Sequence, residues 1–97
     1  NEMVGKIKKT KLYRISMYPK FYVYSKRGCH LCEELIEQLI EFLNSRAKIE
    51  IIDIESSKVL LNKYHADIPV VTFNDKEIFK HFFNKDITEQ VLENFNQ

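Results

Sequence analysis

Cysteine is scarce in this chain, which holds only Cys29 and Cys32. Two thiols cannot staple a small domain as a disulfide framework does, so the pair reads as chemical rather than structural. Long hydrophobic runs are missing too. No apolar stretch approaches the roughly 20 residues of a membrane-spanning helix, and no membrane association is expected. The basic N-terminus has no apolar stretch behind its charges, which argues against a secretory signal and makes the cytoplasm the expected location. There are no internal repeats and no low-complexity tracts. What remains is 97 residues, 44% hydrophobic and 30% charged, the mix of a single globular domain with one modest core.

The net charge of +1 conceals an asymmetry. Residues 1–20 carry Lys6, Lys8, Lys9, Lys11, Arg14 and Lys20 against Glu2 alone, whereas acidic side chains outnumber basic ones in residues 21–97. A basic segment of this kind can touch nucleic acid or anionic lipid. The plainer expectation is a solvated, flexible extension over residues 1–19, in part not native to the protein, and no nucleic-acid role. Met3 and Met17 both stand as candidate starts. The domain proper is expected over residues 20–97.

Phe21 to Ser25, aromatic and β-branched, predicts a buried strand. Lys26-Arg27-Gly28 predicts a turn, with Gly28 giving backbone freedom. From Leu31 to Asn44 the residues Cys32, Leu35, Ile36, Leu39, Ile40 and Leu43 recur at helical spacing, with Glu33, Glu34, Glu37 and Glu41 opposite. Ile49 to Ile54 is dense enough in isoleucine to predict a parallel strand covered on both faces. Ser56 or Ser57 caps a short helix ending near Tyr64. Ile68 to Phe73 is a third strand, opening on Pro69. Asn74-Asp75 is a turn of positive φ, leading to a partner strand over Glu77 to His81. Asp86 or Thr88 starts a last helix that turns Ile87, Val91, Leu92 and Phe95 inward. The order is β-α-β-α-β-β-α, with a right-handed parallel crossover first and a hairpin later.

Cys29-His30-Leu31-Cys32 therefore falls between a strand and a helix. A thiol at a helix start meets unpaired N–H groups and the positive end of the helix dipole, and both favour the thiolate that attacks disulfides. The second thiol lies about one turn further on and can close back on the first. Strand, exposed CxxC and helix make a two-electron redox switch.

This order, with CxxC after the first strand and Ile68-Pro69-Val70 opening the third, resembles the thioredoxin-like fold. Ser25 to Leu35 is similar to a small glutaredoxin-like group whose motif reads CHLC, and Ile51-Ile52-Asp53-Ile54, Ile68-Pro69-Val70-Val71 and Lys76-Glu77-Ile78-Phe79 extend the similarity over about residues 20–97. The resemblance implies an α/β domain of glutaredoxin type, a four-stranded mixed sheet flanked by helices. It implies thiol–disulfide oxidoreductase activity, with Cys29 as attacking thiolate and Cys32 as resolving thiol. It makes Pro69 a cis-proline facing the CxxC, with Ile68 and Pro69 shaping a substrate groove. Lys26 takes the place of a lysine near the active thiol and the glutathione carboxylate, and Lys26 and Arg27 would tune the thiolate. Glutaredoxins that bind glutathione carry a Gly-Gly pair between last strand and last helix. Here Phe79 to Asp86 holds no glycine, which counts against the usual glutathione pocket. No tightly bound cofactor is implied. Glutathione remains a candidate co-substrate, and a monomer acting on protein or small-molecule disulfides is expected.

Several residues admit two readings. His30, and Leu31 beside it, line the CxxC turn. A charged His30 would lower the Cys29 pKa, or else it is an exposed histidine of little influence. Asp53 could move protons for Cys32, but the expected role is to end its strand and bond the following turn. His65 and His81 read as surface or loop histidines. Phe79, Phe82 and Phe83 read mainly as packing, or as a docking face for a protein substrate. Zinc would need two further ligands. The alternative to catalysis is a binding or redox-sensing module that keeps the fold and uses the aromatic face.

Overall fold

A computed structural model describes residues 18–95. The expected extension over residues 1–19 lies outside them, save Tyr18 and Pro19. The elements are β1 (Lys20–Ser25), α1 (His30–Leu43), β2 (Lys48–Asp53), a 3₁₀ turn (Ile54–Ser56), α2 (Lys58–Tyr64), β3 (Val70–Phe73), β4 (Lys76–Lys80) and α3 (Lys85–Phe95). The strands form one sheet in the order β2-β1-β3-β4. β1 runs parallel to β2 and antiparallel to β3, and β3 runs antiparallel to β4 with a bulge between Val71 and Thr72.

Alternation along β1 separates two cores. Phe21 and Val23 face one side, where they join Leu35, Leu39 and Leu43 of α1, Val71, Phe73, Phe79 and Leu92 of α3. Tyr24 faces the other side with Ile54, Leu60, Tyr64 and Val70, under α2. Aromatic pairs hold each layer, Phe21 on Phe73 at 4.8 Å between ring centroids and Tyr24 on Tyr64 at 4.5 Å. β3, buried along its whole length, is the strand truly covered on both faces.

That role had been expected of β2, and the structure corrects it. β2 is an edge strand, paired only with β1 among the described residues. Ile51 is 51% exposed, while Ile54, just beyond the strand, is fully buried. β3 occupies the inner side of β1, so the parallel crossover can add β2 only on the outside. The isoleucines there suit a pleated backbone by shape, without needing cover on both faces.

Chain ends of the helices follow capping chemistry. Asn44 ends α1 in the left-handed conformation, φ 47°, returning its N–H to the Ile40 carbonyl, as a polar residue tolerates at that position. Arg46 then donates to the Leu43 and Phe42 carbonyls and to Glu89 of α3, tying the two helices. Ser57 caps α2, its Oγ accepting from the Val59 and Leu60 amides. The last helix starts a residue earlier than expected. Asn84 is the cap, its Oδ1 accepting from the Ile87 amide at 3.0 Å. Thr88, expected as a starter, is fully buried, and its hydroxyl donates to the Asn84 carbonyl at 2.7 Å. Asn74 and Asp75 turn at φ 53° and 65°, as expected.

Candidate redox site

The site is built where β1 ends. Ser25 is buried, and the chain leaves it through Lys26-Arg27-Gly28, a turn closed by the Cys29 amide donating to the Lys26 carbonyl at 3.3 Å. Gly28 sits at φ +79°, yet a Cβ there would meet nothing within 4 Å. The demand on Gly28 is therefore backbone conformation and not space.

Cys29 is the N-cap of α1, in extended conformation. Its Sγ accepts from the Cys32 amide at 3.2 Å, the place a hydroxyl or carboxylate oxygen takes in other helices. Sulfur is a weak acceptor when neutral. As a thiolate it gains a charge-assisted bond and the favourable end of the helix dipole. Cys29 and Cys32 are joined as a disulfide, with Cα atoms 5.2 Å apart. Their access differs. Cys32 is 1% exposed beneath the first turn, whereas Cys29 is partly open to solvent.

The strand register brings further residues to this end of the sheet. Tyr24 pairs with Val70, and Val70 with Lys80. One step further along, Ser25 comes level with Pro69, and the His81 amide donates to the Pro69 carbonyl at 2.7 Å. The Ile68–Pro69 bond is cis, Pro69 is buried and Ile68 half-buried. Lys26, Arg27 and Leu31 are exposed around the CxxC turn. Neither Lys26 nor Arg27 takes part in an ion pair among the described residues. The His30 side chain is 96% exposed and lies 3.5 Å from the Glu33 carboxylate, which offsets any charge the imidazole would lend to Cys29.

Asp53 takes the structural role expected of it. It is exposed, and its Oδ1 accepts from the Glu55 amide at 2.9 Å, capping the 3₁₀ turn. His65 is the exposed C-cap of α2, with Nδ1 3.2 Å from the Leu61 carbonyl. Two groups outside the thiol turn have displaced acidities. Burial, seconded by the Tyr64 hydroxyl, pushes the Tyr24 pKa up, and the Glu50 carboxylate raises that of Lys20. The sequence reading missed the Asn84 cap, which an asparagine ahead of Ile87, Val91 and Leu92 does signal. It also missed the conformation at His81, for which the sequence carries no local mark.

A mixed sheet in this order, with CxxC at the head of the first helix and a cis-proline before the third strand, defines a thioredoxin-like domain. Residues 20–93 match the glutaredoxin-like domain family (DUF836), and the chain belongs to that family. A glutaredoxin-like protein of Dictyostelium discoideum, the YDR286C homolog, is 37% identical over 70 residues. That match spans 65% of this chain and 65% of the length of the relative. Protein Ne2328 of Nitrosomonas europaea, solved by NMR, superposes with a TM-score of 0.68 at 33% identity, over 75% of this chain and 89% of its own. Thioredoxin 1 of Thermosipho africanus shares the fold at 22% identity, with a TM-score of 0.56 over 80% of this chain and 99% of its own. Among the described residues no helix is long and apolar enough to cross a membrane.

Proposed function

We propose that the domain is a thiol–disulfide oxidoreductase acting through Cys29 and Cys32. The observation that carries the reading is the asymmetry of the pair at the head of α1, an accessible N-cap sulfur over a buried partner. In the reduced protein the Cys29 thiolate attacks a substrate disulfide. A Cys29–substrate disulfide forms, the substrate bond breaks, and one substrate thiolate leaves. The Cys32 thiolate then attacks Cys29 Sγ, the mixed disulfide breaks, and the second substrate thiolate leaves and takes a proton from solvent. Two electrons have passed to the substrate, and the pair is left oxidised, the form seen here. Two equivalents of a thiol reductant, with glutathione the candidate, return the dithiol by the same steps in reverse. Lys26 and Arg27 favour the thiolate by charge, and Ile68 and Pro69 border the approach to Cys29. The reading asks for no bound cofactor and for a single chain, in a reducing compartment.

A second reading, a binding or redox-sensing module, is favoured by the exposure of Phe82, 69% in solvent. Equilibration in glutathione redox buffers, followed by intact mass, separates the two. A reversible two-proton mass change with transient glutathione adducts on Cys29 supports exchange. A midpoint of roughly −200 to −230 mV would match glutaredoxins. A pair that does not close, or closes without reversal, overturns it in favour of the binding module.

A further inference from the structure

Three phenylalanines crowd the end of β4, and one is left in water. Phe79 is buried and Phe83 half-buried, their ring centroids 6.0 Å apart, and Phe83 also meets Phe42 of α1 at 5.6 Å. Phe82 between them is 69% exposed. The backbone turns it out. The Phe82 amide donates to the Lys80 carbonyl at 2.8 Å, with His81 between them at φ 71°. A bond from residue i to i+2 around a positive φ is the γ-turn of the strained hand, rare in proteins. It is held here by a residue with a Cβ, for which left-handed backbone is unfavourable. The His81–Pro69 bond clamps the turn from the β3 side, and the His81 ring meets Phe82 edge-on at 6.4 Å.

Neither feature stabilises the domain by itself. The turn stores strain, and the exposed ring forgoes most of its burial. Strain held by its surroundings clusters at binding and active sites, and this turn is one hydrogen bond from Pro69. Ser25 ends β1, Pro69 immediately precedes β3 and His81 immediately follows β4. With neighbouring strands about 4.8 Å apart, the γ-turn lies about 10 Å across the sheet from the end of β1, a span of a few residues of extended chain. Within the CxxC, Leu31 is 40% exposed. Lys80 and His30 have carboxylate neighbours, Asp67 and Glu33, whereas Lys26 and Arg27 are exposed with no ion-pair partner among the described residues.

We infer that Phe82, held out by the His81 turn, determines substrate specificity: the site takes protein disulfides whose cysteine has an apolar side chain a few residues away and a carboxylate next to it. The ring receives the apolar side chain, and Lys26 and Arg27 receive the carboxylate. For its chemistry the inference rests on the exchange reading; for its binding it does not.

The test compares the full chain with Phe82→Ala, Phe82→Leu and His81→Gly. Two disulfides are reduced, bis(2-hydroxyethyl) disulfide and the homodisulfide of a synthetic peptide bearing Asp beside its cysteine and Leu three residues on. The readout is selectivity, the ratio of kcat/KM for peptide to that for the small disulfide. Phe82→Ala is expected to lower the ratio about tenfold, mainly through KM, and Phe82→Leu to restore most of it. His81→Gly is expected to lower the ratio while raising the unfolding midpoint by about 5 °C as strain is relieved. In parallel, fluorescence anisotropy measures binding of the same peptide with serine for cysteine. A Kd raised about tenfold by Phe82→Ala, and raised again when the Asp is replaced by Asn, supports the inference even if neither disulfide is turned over, an outcome that would overturn only the exchange reading. An unchanged ratio, or where there is no turnover an unchanged Kd, in Phe82→Ala overturns the inference.

Discussion

Reducing the Cys29–Cys32 disulfide should leave two thiols of very unequal reactivity, and the structure sets the scale. Cys29 caps the helix and is partly open, so a small alkylating agent reaches it without rearrangement. Cys32 is 1% exposed, so the first turn of α1 must open before the reagent meets it. That opening breaks the cap, worth about 1 kcal/mol, and exposes a small apolar side chain, worth about 1–2 kcal/mol more. The sum is about 2–3 kcal/mol, which slows Cys32 about 30- to 150-fold through the opening equilibrium alone. Thiolate stabilisation at the helix head acts in the same direction. Iodoacetamide labelling at neutral pH, quenched at timed intervals and read by peptide mass, measures the ratio. Labelling of Cys32 as fast as Cys29 would refute the argument. The same asymmetry assigns the variants: Cys32→Ser is expected to accumulate a Cys29–substrate adduct, and Cys29→Ser to lose turnover. Turnover surviving in Cys29→Ser would reverse the assigned roles.

Three further outcomes follow from packing and charge. Ile54→Ala, at a fully buried side chain, should cost about 2–5 kcal/mol in urea unfolding, whereas Ile51→Ala, half in solvent on the β2 edge, should cost about 1 kcal/mol or less. Equal costs would mean that β2 is covered after all. Ser57→Ala, which strips two amides of their acceptor, should cost about 1 kcal/mol, visible as a lower denaturation midpoint at unchanged slope. Tyr24 and Lys20 both have folded pKa values above their ordinary ones. Above about pH 10 the unfolded chain therefore loses protons that the folded one keeps, and stability falls as pH rises. Below that range both states are equally protonated at these groups, so they impose no slope near neutrality. Tyr24→Phe should flatten the alkaline loss measured by thermal unfolding across pH 9–11. An unchanged profile would assign that loss to other groups.

Local chemistry was legible wherever a residue type answers a local demand. Gly28 marks a left-handed turn, Ser57 a helix cap and Asn74-Asp75 a tight hairpin, and each demand is met within a few residues of chain. Helical spacing placed Cys32, Leu35, Leu39 and Leu43 on the buried face of α1, because one side of a helix must find cover, whereas Ile40, expected on the same face, is 53% exposed. Isoleucine density misled at β2. Composition reports preference for extended backbone, while the number of neighbours a strand acquires depends on which strands take the adjacent places in the sheet.

The sequence by itself therefore determined the order of elements, the two thiols at the head of a helix, and the family in which that motif belongs. These depend on spacing along the chain, which folding does not alter. Only the tertiary structure decided how completely Cys32 is sealed while Cys29 stays accessible, that β2 lies at the edge, and that Phe82 stands in solvent after a turn bonded to Pro69. Each of these depends on contacts between segments far apart in sequence. The His81 turn shows the division plainly: its φ is held by a hydrogen bond to Pro69, and no residue near position 81 announces that bond.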